Sequence, residues 1–128
     1  MKCTLDVRSA DKVRLTFACN ALQNIIAGIC GARNIDYDWN LVQETAPVCC
    51  SLVLTNLLKQ SVQTAGHKVI CLLSGAGHDA VPMSAICPVS MLFIRCFKGI
   101  SHNPLENVEL KDVTAAIEVV DHFIQNIA

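Results

Sequence analysis

The sequence predicts an α/β fold built from two halves that use different kinds of strand. Two early segments, "KCTLDVRS" and "IDYDWNLV", alternate apolar and polar residues, which is typical of strands buried on one face in an open antiparallel sheet. Two later segments, "KVICLL" and "PVSMLFIRC", are nearly continuous apolar runs, as expected of parallel strands covered on both faces. The change between the two patterns predicts a boundary near Ala46–Pro47.

Three helices are predicted around these strands. The first spans about 20 residues between the two alternating segments, with Ser9 as its N-cap and Gly31 near its end. The second follows Pro47 and stops at Gly66, and the last covers residues 110–127. Their apolar stripes, in order, are Ala18, Leu22, Ile25 and Ile29; Leu54, Leu57, Leu58 and Val62; and Val113, Ala116, Ile117, Val120, Ile124 and Ile127.

Length and composition narrow the possible classes of protein. The 128 residues correspond to one domain, or to one domain plus a fragment, and a hydrophobic fraction of 52% leaves apolar surface for a partner after a core is built. A net charge of −1 offers no electrostatic basis for binding nucleic acid or an anionic membrane. Polar residues interrupt both the N-terminus and the apolar stretch over residues 13–32, so neither a signal peptide nor a membrane span is expected. We therefore expect a cytoplasmic protein.

Eight cysteines are present, and no two of them form a CxxC pair. Most lie within apolar runs, where a reduced cysteine behaves as a small hydrophobic residue. We therefore predict buried free thiols and neither a disulfide framework nor a cysteine-based zinc site.

Three motifs, "LDVRS", "SGAGHDA" and "GISHNPLE", occur in this order along the chain. Together they resemble the allantoate amidohydrolase and N-carbamoyl-L-amino-acid hydrolase group, within the superfamily of dinuclear-metal aminoacylases and carboxypeptidases. The resemblance covers essentially all of the chain but only the C-terminal portion of the family. It implies that residues 1–46 end an α+β lid and dimerisation domain, as a strand-helix-strand remnant. Residues 47–128 would form part of the α/β catalytic domain and its sheet.

The resemblance implies a role for one residue in each motif. His102 matches a metal-ligating histidine, and a loop that follows a strand is a common place for such a ligand, although a lone loop histidine is more often a surface residue. His78 follows a glycine-rich turn and would polarise the substrate by donating a hydrogen bond to an oxyanion. The alternative interpretation of His78 is a polar residue at the start of a helix. Arg8 would anchor a substrate carboxylate with its guanidinium fork, or simply be a solvated charge.

Other residues of these motifs are assigned smaller roles. Gly77 and Ser101 are expected to contact substrate, whereas Asp79, Asn103 and Glu106 are expected to support the site. The family further implies two divalent ions, manganese or zinc, and a small carboxylate-bearing ureide or carbamoyl substrate. It also implies a homodimer and an N-terminal half of the catalytic domain that this sequence does not contain. Because one histidine cannot hold two ions, two alternatives stay open. The chain could be a non-catalytic remnant that acts as an interaction module, or a small regulatory ligand-binding domain.

Overall fold

A computed structural model describes residues 2–127 of the chain. Its helices are α1 (Lys12–Ala32), α2 (Leu52–Thr64), α3 (Ala80–Met83) and α4 (Leu110–Gln125), and a short 3-10 turn covers Phe97–Gly99. The chain divides into two compact units. Among the described residues, the first unit comprises residues 2–48 with Leu73–Ala76, and the second comprises Cys49–Leu72 with residues 77–127.

The predicted α/β fold class is wrong for the described residues. Over residues 2–127 the regular structure is helical, and none of the four segments predicted as strands forms one. Backbone hydrogen bonds outside the helices are mostly local turns, with longer-range exceptions such as the Ser51 amide to the Val89 carbonyl at 2.8 Å. A strand exists only through a ladder of bonds to a second strand, so an alternating or apolar pattern without such a ladder produces no sheet.

The N-cap of helix α1, in the first unit, is Asp11 rather than the predicted Ser9. One carboxylate oxygen of Asp11 accepts hydrogen bonds from the amides of Val13 at 2.8 Å and Arg14 at 3.1 Å, which caps the helix. The hydroxyl of Ser9 instead accepts from the Asp11 amide at 3.1 Å. Aspartate prevails because it is equally suited to the cap position and stands directly before the first helical residue.

No residue of α1 is buried, and its half-buried side is shifted from the predicted stripe, because Ile25 and Ile29 are exposed. Leu15, Ala18, Cys19, Ala21, Leu22, Ile26 and Cys30 are half-buried instead. By length and composition the helix could cross a membrane, contrary to the sequence interpretation. A signal sequence near an N-terminus passes the same test, so this feature alone assigns no membrane role.

Helices α2 and α4 pack against each other in the second unit. The most buried residues are Ser61 on α2, 3% exposed, and Val119 on α4, 4% exposed. Val119 is not in the predicted stripe of α4, whose members Ile117 and Ile124 are more than half exposed. The helix is apolar on more than one side, and within residues 2–127 the buried position is Val119.

Helix α2 ends as the sequence predicts. Gly66 has φ +77°, and its amide donates to the Gln63 carbonyl at 2.9 Å while the His67 amide donates to the Val62 carbonyl at 3.0 Å. These two bonds form a Schellman motif, which satisfies carbonyls that the last helical turn leaves without partners.

We predict that Gly66→Ala destabilises the chain by about 1 kcal/mol, because an L-residue is disfavoured at this left-handed backbone conformation. Space is not the reason, since a Cβ built on Gly66 meets no atom within 4 Å. Gly28→Ala, within α1, is the matched control and should stabilise the chain by roughly 0.5–1 kcal/mol. Urea unfolding followed by circular dichroism measures both changes. Equal midpoints for the two variants would contradict the left-handed cap.

The eight cysteines are all free, as predicted, but their predicted burial is wrong. Five are exposed and three are half-buried: Cys3, Cys49, Cys50, Cys71 and Cys87 belong to the first group, and Cys19, Cys30 and Cys96 to the second. Apolar neighbours in sequence bury a thiol only when another element packs over the segment, and little such packing exists in residues 2–127.

Candidate functional site

The guanidinium of Arg8 is held at three of its nitrogens within the first unit. Its Nε donates to both carboxylate oxygens of Asp6, at 3.0 and 3.1 Å, and its Nη2 donates to Asp6 Oδ2 at 2.6 Å. Its Nη1 donates to the carbonyl of Gly75. The structure thus joins "LDVRS" to the beginning of "SGAGHDA", two motifs that are 67 residues apart at this contact. Both charged side chains are about 60% exposed, so the pair is open to solvent and to a ligand.

The ion pair changes the acid–base properties of both partners. The hydrogen bonds from Arg8, more than its charge, lower the pKa of the Asp6 carboxyl, while the same bonds raise the pKa of Arg8. An aspartate with a lowered pKa keeps its stabilising contact above its unfolded value, about 3.9, and loses it as pH falls through the lower folded value. The Arg8–Asp6 contact is therefore intact at neutral pH.

We predict that the pKa of the Asp6 carboxyl lies below the ordinary value for an aspartate, about 3.9, when its carbon resonance is followed by NMR as a function of pH. Arg8→Gln should move the midpoint back towards the ordinary value, since glutamine supplies a weaker donor and no charge. An unchanged midpoint in Arg8→Gln would mean that the ion pair does not form in solution.

The turn that precedes His78 differs from the expected glycine turn. Neither Gly75 nor Gly77 has a left-handed backbone, and a Cβ built on either residue meets no atom within 4 Å. The bend at Ala76 is closed by Ser74, whose hydroxyl contacts both the carbonyl and the amide of Ala76, at 3.0 and 3.3 Å. The glycines are therefore not required by the backbone conformation.

His78 lies in the second unit, two residues before the four-residue helix α3, and its side chain is exposed. Asp79 occupies the N-cap position, but its side chain makes no capping hydrogen bond. The predicted helix start after His78 is confirmed, although α3 is only one turn long. The oxyanion role of His78 and the supporting role of Asp79 stay predictions.

The loop around His102 is held by its own side chains in the second unit. His102 has a left-handed backbone with φ +57°, and its amide donates to Glu106 Oε2 at 2.7 Å. The Glu106 amide in turn donates to the Asn103 carbonyl at 2.8 Å, and Asn103 Oδ1 accepts from the Leu105 amide at 3.0 Å. A charged acceptor on the His102 amide offsets a conformation that costs about 1 kcal/mol or more in a residue with a Cβ.

Ser101 and His102 contact each other through their side chains. The Ser101 hydroxyl lies 2.8 Å from Nδ1 of the His102 ring. The left-handed backbone at His102 accompanies this contact. Nδ1 is thereby engaged, so Nε2 is the ring nitrogen better placed to bind another group. The substrate contact predicted for Ser101, and that predicted for Gly77, remain predictions.

The residues around His102 do not fit a complete metal centre. Cys96 directs its thiol at Glu106 Oε1 from 3.8 Å, so both oxygens of this carboxylate already have hydrogen-bond partners. Within residues 2–127 there is no group of three or more His, Cys, Asp or Glu side chains that could hold an ion. A protein metal site needs about three or four such donors, and His102 alone supplies one.

Sequence reasoning missed Asp6, the most extensively bonded partner of a candidate site residue. Asp6 and Arg8 both lie on the polar side of the alternation in "KCTLDVRS", two residues apart. This spacing could have indicated that their side chains share a face. The carbonyl of Gly75, in contrast, could not have been found, because a contact across 67 residues leaves no local pattern.

Comparison with known proteins identifies the family. The model of peptidase family M20/M25/M40 matches residues 5–126. The chain is 33% identical to an N-carbamoyl-L-amino-acid amidohydrolase from a Pseudomonas species, over 91% of this chain and 28% of that protein. It is 34% identical to allantoate deiminase 2 of Glycine max, over 98% of this chain and 28% of that protein. It is 29% identical to the allantoate amidohydrolase of Escherichia coli, over 98% of this chain and 30% of that protein.

These matches confirm the resemblance that the three motifs predict. The chain spans less than a third of the length of the relatives it matches, so it corresponds to one segment of their fold. Matches of this coverage across nearly all of its residues establish its membership: the chain belongs to the hydrolase family described as peptidase family M20/M25/M40.

Proposed function

We propose that this chain is the C-terminal segment of an amidohydrolase that cleaves C–N bonds in linear ureido or carbamoyl compounds bearing a carboxylate. The relatives named as N-carbamoyl-L-amino-acid amidohydrolase and as allantoate deiminase support this substrate class. The observation that carries the proposal is the Arg8 guanidinium, which is exposed, ordered by Asp6 and Gly75, and shaped to receive a carboxylate.

Within this function each candidate residue has one task. Arg8 anchors the substrate's carboxylate, and His78 donates a hydrogen bond to the oxygen of the carbonyl or ureide group as negative charge develops there. His102 presents Nε2 as a ligand for one ion, with Ser101 and Glu106 holding its ring and its backbone. Gly77 contributes substrate contact through its backbone, and Asp79 and Asn103 support the two loops.

A divalent cation, manganese or zinc, is part of the proposal, with two ions in the complete enzyme. Imidazole and carboxylate donors suit both metals. Since the described residues do not form a metal site, the remaining donors would come from chain outside these 128 residues. The proposal also includes a homodimer and a cytoplasmic location, the latter supported by eight free cysteines, which are typical of a reducing compartment.

A second candidate is a non-catalytic remnant that serves as an interaction module. It is favoured by one observation, the lack of clustered metal ligands within residues 2–127. The two candidates differ in what happens when the rest of the family fold is supplied. We define the assembled enzyme as this chain joined to the N-terminal part of the Escherichia coli allantoate amidohydrolase, which the chain matches at 29% identity. Turnover by the assembled enzyme supports an amidohydrolase, and its absence supports the remnant.

In the assembled enzyme, Arg8→Lys should raise KM for a carboxylate-bearing substrate by about tenfold or more while leaving the melting temperature nearly unchanged. Lysine keeps the charge but loses the planar fork that binds a carboxylate through two parallel bonds. Steady-state ammonia release with allantoate measures KM, and thermal unfolding measures stability. Arg14→Lys, at another exposed arginine, on α1, is the control. Identical kinetics in Arg8→Lys would remove Arg8 from the substrate site.

A further inference from the structure

The hydrogen bonds of Arg8 leave one edge of its guanidinium with donors to spare. A guanidinium carries five N–H groups, one on Nε and two on each Nη. Asp6 takes the edge formed by Nε and Nη2, and Gly75 takes one donor of Nη1. Each Nη nitrogen therefore keeps one further N–H, and that of Nη2 lies on the edge it shares with Nη1, because Asp6 takes the Nη2 hydrogen that faces Nε.

A ligand carboxylate forms more additional hydrogen bonds at the Nη1–Nη2 edge than at the Nε–Nη2 edge, which Asp6 already occupies. Displacing Asp6 would exchange one two-point carboxylate contact for another of the same kind. Binding at the Nη1–Nη2 edge adds new hydrogen bonds while the bonds to Asp6 and Gly75 persist.

We propose that Asp6 is a positioning residue, which occupies the Nε–Nη2 edge of Arg8 so that a ligand carboxylate is received at the Nη1–Nη2 edge. This inference rests on the proposed function, because it takes Arg8 as the carboxylate anchor. Asp6 acts through Arg8 and does not touch the ligand. Its contribution is to immobilise a long side chain before binding, so that less rotamer freedom is lost when the ligand arrives.

The first measurement needs no ligand. Nitrogen-15 NMR of the 128-residue chain follows the Arg8 Nε–H signal, which should exchange slowly with water and report restricted rotation about the Cζ–Nε bond. Asp6→Asn should give fast exchange, because the amide keeps the shape but offers one oxygen and no charge, and Asp6→Glu should restore the slow signal. Asp6 and Arg8 are both exposed, so these variants should fold as the parent does. Free exchange of Arg8 Nε–H in the parent chain would overturn the proposal.

The second measurement titrates the same chains with N-carbamoylglycine, using its amide, which lacks the carboxylate, as the control ligand. The carboxylate should shift the Arg8 Nη signals and leave Nε nearly unchanged, and Asp6→Asn should weaken binding by roughly threefold to tenfold. Asp6→Glu should bind as the parent does, a rescue that a general loss of structure would not give.

Two results would count against the proposal in different ways. Tighter binding in Asp6→Asn, with Nε shifting together with Nη in the parent, would show that Asp6 competes with the ligand and would overturn the positioning role. A slowly exchanging Nε–H together with no change in the Arg8 signals on adding N-carbamoylglycine would mean that Asp6 orders Arg8 but that Arg8 anchors no carboxylate. That result would contradict the proposed function, and with it the assignment of the Nη1–Nη2 edge to a ligand.

Discussion

The 128-residue chain by itself is expected to release no ammonia from allantoate or N-carbamoyl-L-amino acids above a buffer blank. It is also expected to bind manganese or zinc only weakly. Tight binding requires several preorganised donors that act together, and within residues 2–127 no group of three or more candidate ligands exists. His102 alone would have to compete with water and buffer for the ion, although its loop is already ordered by Glu106.

Calorimetric metal titration and an ammonia-release assay on the purified chain measure this expectation together. His102→Ala is the matched variant, and it should remove what weak binding there is, whereas His122→Ala, near the end of α4, should not. Stoichiometric tight binding together with turnover would refute the assignment of this chain as one segment of a larger enzyme. It would mean that His78, Asp79, His102 and Glu106 form a centre that the described geometry does not show.

The helices were the part of the fold most accessible from the sequence. A helix satisfies its own backbone hydrogen bonds, so its ends depend on nearby residues such as Gly66, whose left-handed cap ends α2 as predicted. Which face of each helix is buried was harder to predict, because burial depends on which other element packs against the helix. Val119 is buried and Ile124 is exposed for that reason, although both lie on the same apolar helix.

The predicted sheet failed because a strand depends on a partner that is distant in sequence. Alternation in "KCTLDVRS" reports only which environment its side chains suit, and it does not supply the second row of amide and carbonyl groups. The same limit explains the thiols, since Cys71 lies in an apolar run yet is exposed. Side chains such as Leu73, 81% exposed, lack the covering layer that their sequence pattern anticipates.

The candidate site was predictable where it depends on short motifs and not where it depends on contacts between them. "GISHNPLE" contains His102 and the two side chains that hold it, and a single loop brings all three together. The family match confirms the resemblance that these motifs indicate. The contact of Arg8 with Gly75 required the structure, because two segments of the first unit meet there from opposite ends of its sequence.

In the assembled enzyme, His78→Ala is expected to lower kcat by about 10²-fold while KM changes little and metal content stays near that of the parent. A donor placed where charge develops strengthens its hydrogen bond in the transition state more than in the ground state, so its removal acts mainly on kcat. His78 is exposed two residues before α3, where its side chain is accessible to a substrate.

Steady-state kinetics and metal content are measured on the same purified sample. A lower kcat caused by loss of metal ions is thereby distinguished from one caused by loss of the hydrogen-bond donor. His67→Ala, at the exposed end of α2, is the matched control and should leave both quantities unchanged. His78→Gln should retain part of the rate, because its amide N–H can still donate to the oxyanion without ionising. If metal content fell in proportion to kcat in His78→Ala, His78 would be a ligand, and the division of roles between His78 and His102 would be wrong.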